Sequence, residues 1–365
     1  MKKFLLQIAV ICILYLIITN AQKSILYAID SMNICFSMII PTLFPFFICS
    51  GLLIYSGFCE SLAKIFSFCM MPLFRINPAG ASAFVLGIVS GYPLGAITAG
   101  ELYKNNYISK TEAERLLAFC NNSGPLFILG SIGIAVYSNL KYGIMLYVFH
   151  ALAAITVGII FRFYKQKSYT APSTVMSSPE RSVGEVFSIA LNNAIQNILT
   201  VCGAVVFFSI ISRIVLGYMP LNSYFMALAK GVSEFVTGTI SVADLSIPVC
   251  EKLILTAFIV GFAGLSVHIQ VMAVIAKYEL SLIPYFIGKL LHGIIAAFYT
   301  FIYLHFNPVT EAVFAPSASR AFAAASTTLA VTVVLLALIV ALAGLLLHLE
   351  DCRLQDGKTA HRASE

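Results

Sequence analysis

Four clusters of polar or helix-breaking residues interrupt an otherwise apolar chain. The first is Gly87-Ile88-Val89-Ser90-Gly91-Tyr92-Pro93-Leu94-Gly95-Ala96. Small residues recur at every fourth position, Ala83, Gly87, Gly91, Gly95 and Ala99, and small residues let another helix approach closely. Pro93 removes a backbone donor and disrupts the helix near the preceding turn. Groups freed in this way cannot face lipid, so the break is buried in protein or lines a wet cavity. Two arrangements satisfy that requirement. One is a kinked, tightly packed helix; the other is a discontinuous helix or re-entrant hairpin that presents Ser90, Gly91, Pro93 and Gly95 to a solute.

The second cluster, Cys120-Asn121-Asn122-Ser123-Gly124-Pro125, joins two amides and a hydroxyl to a Gly-Pro break. If Gly124-Pro125 opens a half-helix, its free N–H groups and positive dipole end offer an anion site, with Asn121, Asn122 and Ser123 adding neutral hydrogen bonds. An N-cap where the chain enters the membrane is the plainer alternative. The third cluster is Asn192-Asn193 with Gln196 and Asn197. Residues four apart share a helix face, and amides in an apolar run need a partner helix, a ligand or water. The fourth is a scatter of ionisable groups: Glu234, a candidate for binding a coupling cation or proton, and His268 with Gln270. A charge at mid-bilayer costs about 2.5–3.5 kcal/mol on insertion scales; the alternative for Glu234 is a loop near the interface. Arg213, His150, Lys289 and His292 fall nearer the ends of the expected spans and read as interfacial or snorkelling.

The elements that must position these groups are membrane helices. Of the 365 residues 60% are hydrophobic and 10% charged, too little charge to cover a soluble surface. Apolar blocks reach the roughly 20 residues that span hydrocarbon. The reading is an all-α integral membrane protein with about eight transmembrane helices plus re-entrant or broken helices. Expected spans cover residues 4–18, 34–55, 116–137, 142–161, 189–216, 253–276, 282–304 and 321–347. A membrane half at 1–161, a cytoplasmic linker at 162–187, a second half at 188–349 and a polar tail at 350–365 complete the layout. Residues 83–87 resemble 257–261, and the Asn pair at 121–122 resembles that at 192–193, which suggests two related halves. Basic residues at 2–3, 64 and 75, 162–181 and 353–362 fall on one side if 83–100 enters and leaves by the same face.

Several function classes drop out. The net charge of +6 is spread over connections rather than gathered in one patch, so no nucleic-acid partner is expected. The nine cysteines include no C-x-x-C pair, which argues against a zinc site or disulfide framework. Gly357-Lys358-Thr359 imitates the end of a phosphate loop, but Cys352 stands where glycine is needed. No nucleophile–base pair is visible, so neither an enzyme nor a cofactor is expected.

Taken together, residues 40–47 (Ile-Pro-Thr-Leu-Phe-Pro-Phe-Phe), 90–96, 120–125 and 264–270 (Gly-Leu-Ser-Val-His-Ile-Gln) resemble the YlbJ-like sporulation integral membrane proteins. These belong to the wider nucleoside-recognition, or Gate-domain, families, which are similar to concentrative nucleoside transporters. The resemblance runs over residues 34–304. It implies a transporter fold with re-entrant hairpins and interrupted helices, and dipicolinate moved from mother cell toward forespore as the solute. The segment at Glu234 resembles the Glu-Phe element of the nucleoside transporters, with Ser233 in place of their Asn. The expected function is a secondary transporter or facilitator in the bacterial cytoplasmic membrane or outer forespore membrane, with a carboxylate solute, a coupling cation or proton and homo-oligomerisation as open partner questions. A nucleoside-type carrier and a scaffold of spore-envelope assembly are the alternatives.

Overall fold

Caps and breakers in the sequence fix where each helix starts. The computed structural model describes residues 2–56, 58–165 and 182–307. Most of the expected linker, the last apolar segment at 321–347 and the tail lie outside them. Among the described residues every regular element is helical.

The chain opens with α1 (Lys2–Thr19), α2 (Ala21–Ile34), a wide-turn stretch at Cys35–Ile39, and α3 (Ile40–Tyr55). The second span was expected from residue 34, yet its helix begins at Ala21. Asp30 makes this possible, because the Arg213 guanidinium meets its carboxylate at 3.0 Å and lies over the Tyr27 ring. After α4 (Phe58–Cys69), the helical stretches Lys64–Phe74 and Pro78–Val89 are bent by 114°.

α5 (Ala81–Val89) and α6 (Leu94–Lys104) settle the first of the open alternatives. A Cβ built on Gly95 would lie 3.1 Å from Gly87 Cα, whereas eight residues of continuous helix would separate them by about 12 Å. The chain therefore doubles back at Ser90–Pro93 as a helical hairpin. Gly91, at φ +82°, supplies the turn, a conformation that costs glycine little.

The polar stretch that follows is folded in rather than solvated. Ser109 and Glu112 form a capping box on α7 (Lys110–Leu117). The buried Arg115 guanidinium donates to the carbonyls of Arg75 (2.7 Å), Tyr164 (2.8 Å) and Lys165 (2.9 Å). Glu114 holds the Lys165 ammonium at 2.9 Å, and that hydrogen bond keeps Lys165 above the usual lysine range. Arg75, Arg162 and Lys165 thus share one end of the molecule, with both arginines over the Phe163 ring.

After α7 the chain leaves helical geometry at residues 121–124 and resumes, reaching the wide-turn helix Phe127–Val136. α8 (Leu140–Phe161) closes this half. α9 (Val183–Gly217) starts at a Ser182 cap bound by the Glu185 N–H, four residues before the expected end of the linker.

A second hairpin follows, α10 (Ser223–Ser233) and α11 (Phe235–Ala243) with Glu234 at its tip. Gly238 packs directly on Gly231, although seven residues of straight helix would hold them about 10 Å apart. α12 (Val249–Phe262) and α13 (Gly264–Ile275) form another broken helix, interrupted at Ala263 and Gly264, both at positive φ. α14 (Ile283–Phe306) ends the described chain. Hairpin, broken helix and long helix therefore occur twice in the same order. The long helices cross their neighbours at glycine pairs, Gly133 on Gly143 and Gly261 on Gly293. The five-residue likeness of 83–87 to 257–261 pairs a hairpin with a broken helix, and the two Asn pairs fall in a break and in continuous α9. Those matches do not mark equivalent elements.

Among the described residues five helices are long and apolar enough to cross a membrane: Ala21–Cys49, Leu140–Phe161, Val183–Gly217, Val249–Ile275 and Ile283–Phe306, or six if the 114° pair is one span. The apolar run in α1 is shorter, Gln7–Thr19. The expected last span lies outside the described residues. The described residues all fall in a single compact unit. Within it α9 lies on α2 and α3, and α14 packs on α8 and α12.

Candidate functional site

The tips of both hairpins converge with the unwound segment at residues 121–124. At the first tip the Tyr92 N–H donates to the Asn122 carbonyl (2.9 Å). The Ala96 N–H, in the first turn of α6, donates to Asn121 Oδ1 (2.9 Å). Asn121 is thus an N-cap supplied in trans, one of the four orphan donors of α6 being satisfied by another segment. The Ser123 hydroxyl donates to Tyr92 Oη (3.3 Å). Close approach is built in, since a Cβ on Gly87 or Gly95 would collide with the Cys120 carbonyl.

The second tip is capped by its own residue. Glu234 is fully buried, and its carboxylate accepts from the Val236 N–H (3.0 Å) and the Thr237 N–H (2.7 Å). Glu234 thus stands at the break between two helices, as a loop reading expects, but buried rather than exposed. As a coupling-ion candidate Glu234 loses much of its acceptor capacity to α11, and it forms no ion pair among the described residues.

Between the tips lies a pocket with about 40 Å³ of room for water-sized molecules, space for only a few waters at about 10–15 Å³ each. Ser90, Gly91, Tyr92 and Gly124 form its polar side. Phe46, Phe47, Phe127 and Phe235 close it with aromatic surface. The Phe235 ring lies 5.7 Å from Tyr92 and 5.0 Å from Phe127, centroid to centroid. Ser90 Oγ and Asn122 Oδ1 are buried without a hydrogen-bond partner, and an unpaired buried polar atom costs about 1–3 kcal/mol.

Behind the unwound segment stands a set of buried basic groups. The Ser123 N–H donates to His150 Nε2 (3.1 Å), so the nearest free amide of the expected anion site is taken. His292 Nε2–H donates to the His150 carbonyl (2.9 Å), with the two rings 4.3 Å apart. Lys289, 1% exposed, donates to the Asn121 carbonyl (3.0 Å). His150, Lys289 and His292 are central, not interfacial. Gly288 is what brings them there, because it lets α14 lie directly against Ala118.

Other expected site residues are placed elsewhere. Asn193 and Gln196 are exposed and Asn197 half-buried, because α9 turns Ala190, Ala194 and Ile198 inward. Asn193 Nδ2 donates to Tyr55 Oη, which is contact between neighbouring helices. His268 is buried among Phe262, Tyr285 and Phe286, with Nδ1 bonded to Tyr285 Oη (2.9 Å) and Nε2 unpaired. It does not line the pocket, and Gln270 is only half-buried. Pro93 and Gly95 shape the hairpin rather than the lining. Tyr92 falls within the Gly91–Ala96 stretch expected at the site, whereas Phe127, Phe235 and Lys289 are additions from the structure. The signal for Lys289 was present: Tyr285, Gly288, Lys289 and His292 recur at helical spacing on one face of an apolar helix.

Comparison with known proteins gives one relative over most of the chain. "Sporulation integral membrane protein YlbJ" of Bacillus subtilis (strain 168) is 29% identical over 331 residues, covering 81% of each chain. The similarity supports a YlbJ-like assignment. No protein-family model matches the chain, and no solved structure matches it.

Proposed function

We propose that this YlbJ-like, multi-pass membrane protein is a secondary transporter or facilitator of a small polar or anionic solute, with dipicolinate the leading substrate. One observation carries the reading: two hairpin tips and an unwound segment meet around a pocket lined by the unpaired Ser90 hydroxyl. Secondary transporters place their solutes at discontinuous helices of this kind, near mid-membrane and between repeated halves.

The lining favours a flat solute with polar edges. Phe127, Phe235 and Tyr92 offer ring faces and edges, and aromatic partners prefer offset or edge-on contact with another ring. Within the lining the unpaired Ser90 hydroxyl offers a hydrogen bond on one side; Asn122 lies behind it, its Nδ2 donating to the Phe119 carbonyl (2.9 Å) and its Oδ1 free to accept. A carboxylate belongs on that side, where the Ser90 hydroxyl can donate to it and away from the second tip, whose two N–H donors are already taken by Glu234. The pocket is too small for such a solute as it stands, so loading requires a tip to move.

Sporulation enters through the relative's name. The reading places the protein in a membrane of a spore-forming cell, where the outer forespore membrane would suit delivery from the mother cell. The work done is carriage and not catalysis.

Uptake into vesicles containing the purified protein tests the proposal. Radiolabelled dipicolinate should accumulate well above protein-free vesicles, and nucleosides should not compete. Nucleoside uptake in its place would move the chain to the nucleoside-type alternative. Uptake of neither solute would end the transport reading.

A further inference from the structure

Lys289 is the most anomalous charge in the structure. Its ammonium is fully buried, and its one described partner is the backbone carbonyl of Asn121. Among the described residues the ion pairs are Lys165 with Glu114 and Arg213 with Asp30, so no carboxylate neutralises it. The buried acids are occupied elsewhere: Glu112 and Glu114 hold loop amides, and Glu234 caps α11. Burying an unpaired charge costs several kcal/mol, which a fold keeps only where the charge has a task.

The carbonyl it meets is unusual too. Residues 121–124 are unwound; the Gly124 carbonyl keeps the partner four residues on, the Ile128 N–H (3.3 Å), but the Asn121 and Asn122 carbonyls do not take the one a helix would supply. Unwound carbonyls inside a membrane carrier are the groups that coordinate a coupling sodium ion. Here the Asn122 carbonyl is taken by Tyr92, the Cys120 carbonyl is pressed against Gly87 and Gly95, and the Asn121 carbonyl holds an ammonium. The surroundings supply no second cation. His150 Nε2 accepts an N–H and therefore bears no proton, and His292 gives its Nε2–H to a carbonyl. Two buried acceptors, Asn122 Oδ1 and His292 Nδ1, stay unpaired on the same segment and the same helix as the two ends of this bond.

We propose that Lys289 is a built-in cation: from α14 its ammonium occupies the carbonyl site that a mobile sodium ion takes in a sodium-coupled carrier, so the protein needs no sodium. The consequence for uptake rests on the transport reading, whereas occupancy of the site does not.

The full chain is purified in detergent and melted in sodium chloride and in choline chloride at equal ionic strength. The wild-type protein should melt at one temperature in both salts. Lys289→Ala should melt lower in choline and recover by about 5 °C in sodium, as sodium fills the vacated site. A wild-type melting point raised by sodium, or a Lys289→Ala protein indifferent to it, overturns the proposal. If Lys289→Ala does not fold, Lys289→Met keeps the stem and is read the same way, and the wild-type comparison decides on its own. Dipicolinate uptake should be equal with sodium, potassium or N-methylglucamine outside. Absence of all uptake would sink the transport reading while leaving the melting result standing, so the two failures are told apart.

Discussion

The two hairpins are built alike and held differently. Each turns back through a glycine contact, Gly87 with Gly95 and Gly231 with Gly238. The first tip is tied to another segment: Asn121 caps α6, and Tyr92 donates to the Asn122 carbonyl. The second tip is capped from within, by the carboxylate of Glu234 on the first turn of its own α11. Directional bonds thus lock the first hairpin to the unwound segment. The second leans on the first tip and the wide-turn helix through the non-directional ring contacts of Phe235 with Tyr92 and Phe127. A self-capped hairpin can shift without exposing orphan donors, and a trans-capped one cannot. The second is therefore the part expected to move when the pocket opens.

The largest effect should come from filling the first hairpin's contact. In Gly87→Ala or Gly95→Ala the new methyl meets the Cys120 carbonyl, which is backbone and cannot swing aside. More than about 3 kcal/mol is expected, read as loss of monodisperse protein in detergent. Gly203→Ala, with nothing within 4 Å of the added atom, should express normally. Equal tolerance at all three positions would dissolve the hairpin argument.

Next comes Glu234. Glu234→Ala strands one buried and one part-buried N–H group and should cost about 2 kcal/mol in melting experiments. Glu234→Gln keeps one amide oxygen as an acceptor and should cost less. This variant sharpens the comparison. If the carboxylate is only a cap, Glu234→Gln keeps uptake at reduced stability. If it also carries a coupling proton, uptake falls at least tenfold with the melting point near that of the wild type.

Asn121→Ala should follow, at about 1–2 kcal/mol, but with a local signature. Amide exchange in residues 94–96 should accelerate while α11 stays protected, since only α6 loses its cap. Asn121→Asp retains an acceptor and should restore the protection. Faster exchange in both hairpins would mean that they are not separately held.

Parts of this arrangement were legible in the sequence. The breaks at Pro93 and Gly124-Pro125 followed from backbone chemistry in a lipid setting, and residues 90–95 and 121–124 meet as expected. The four-residue spacing from Ala83 to Ala99 was readable as close packing, but as one continuous stripe. In fact Gly87 and Gly95 face each other from two helices, which only the turn between them reveals. Lys289 and His150 read as interfacial from sequence, although His150 falls midway along the expected span 142–161, because position along an apolar run says nothing about burial in a bundle. Their burial depends on Gly288 meeting Ala118, 170 positions away in sequence, and no local pattern encodes that. The outward Asn192–Asn197 face failed for a related reason. Helical spacing groups residues on one side, whereas which side turns inward is decided by the partners, here by Ala190 and Ala194 against the core.

That last failure yields the smallest expected effect. Asn193 and Gln196 are exposed, and the Asn193 amide bridges to Tyr55 rather than to the unwound segment. Exposed substitutions of this kind usually stay within about 0.5 kcal/mol. Asn193→Ala and Gln196→Ala should therefore melt within about 2 °C of the wild type and retain its uptake rate. Asn122→Ala sits one residue from the Lys289 bond and beside the pocket, so it should reduce uptake severalfold at similar stability. A reversal, with Asn193 essential and Asn122 dispensable, would move the solute path to the α3–α9 face and leave the hairpin tips as packing.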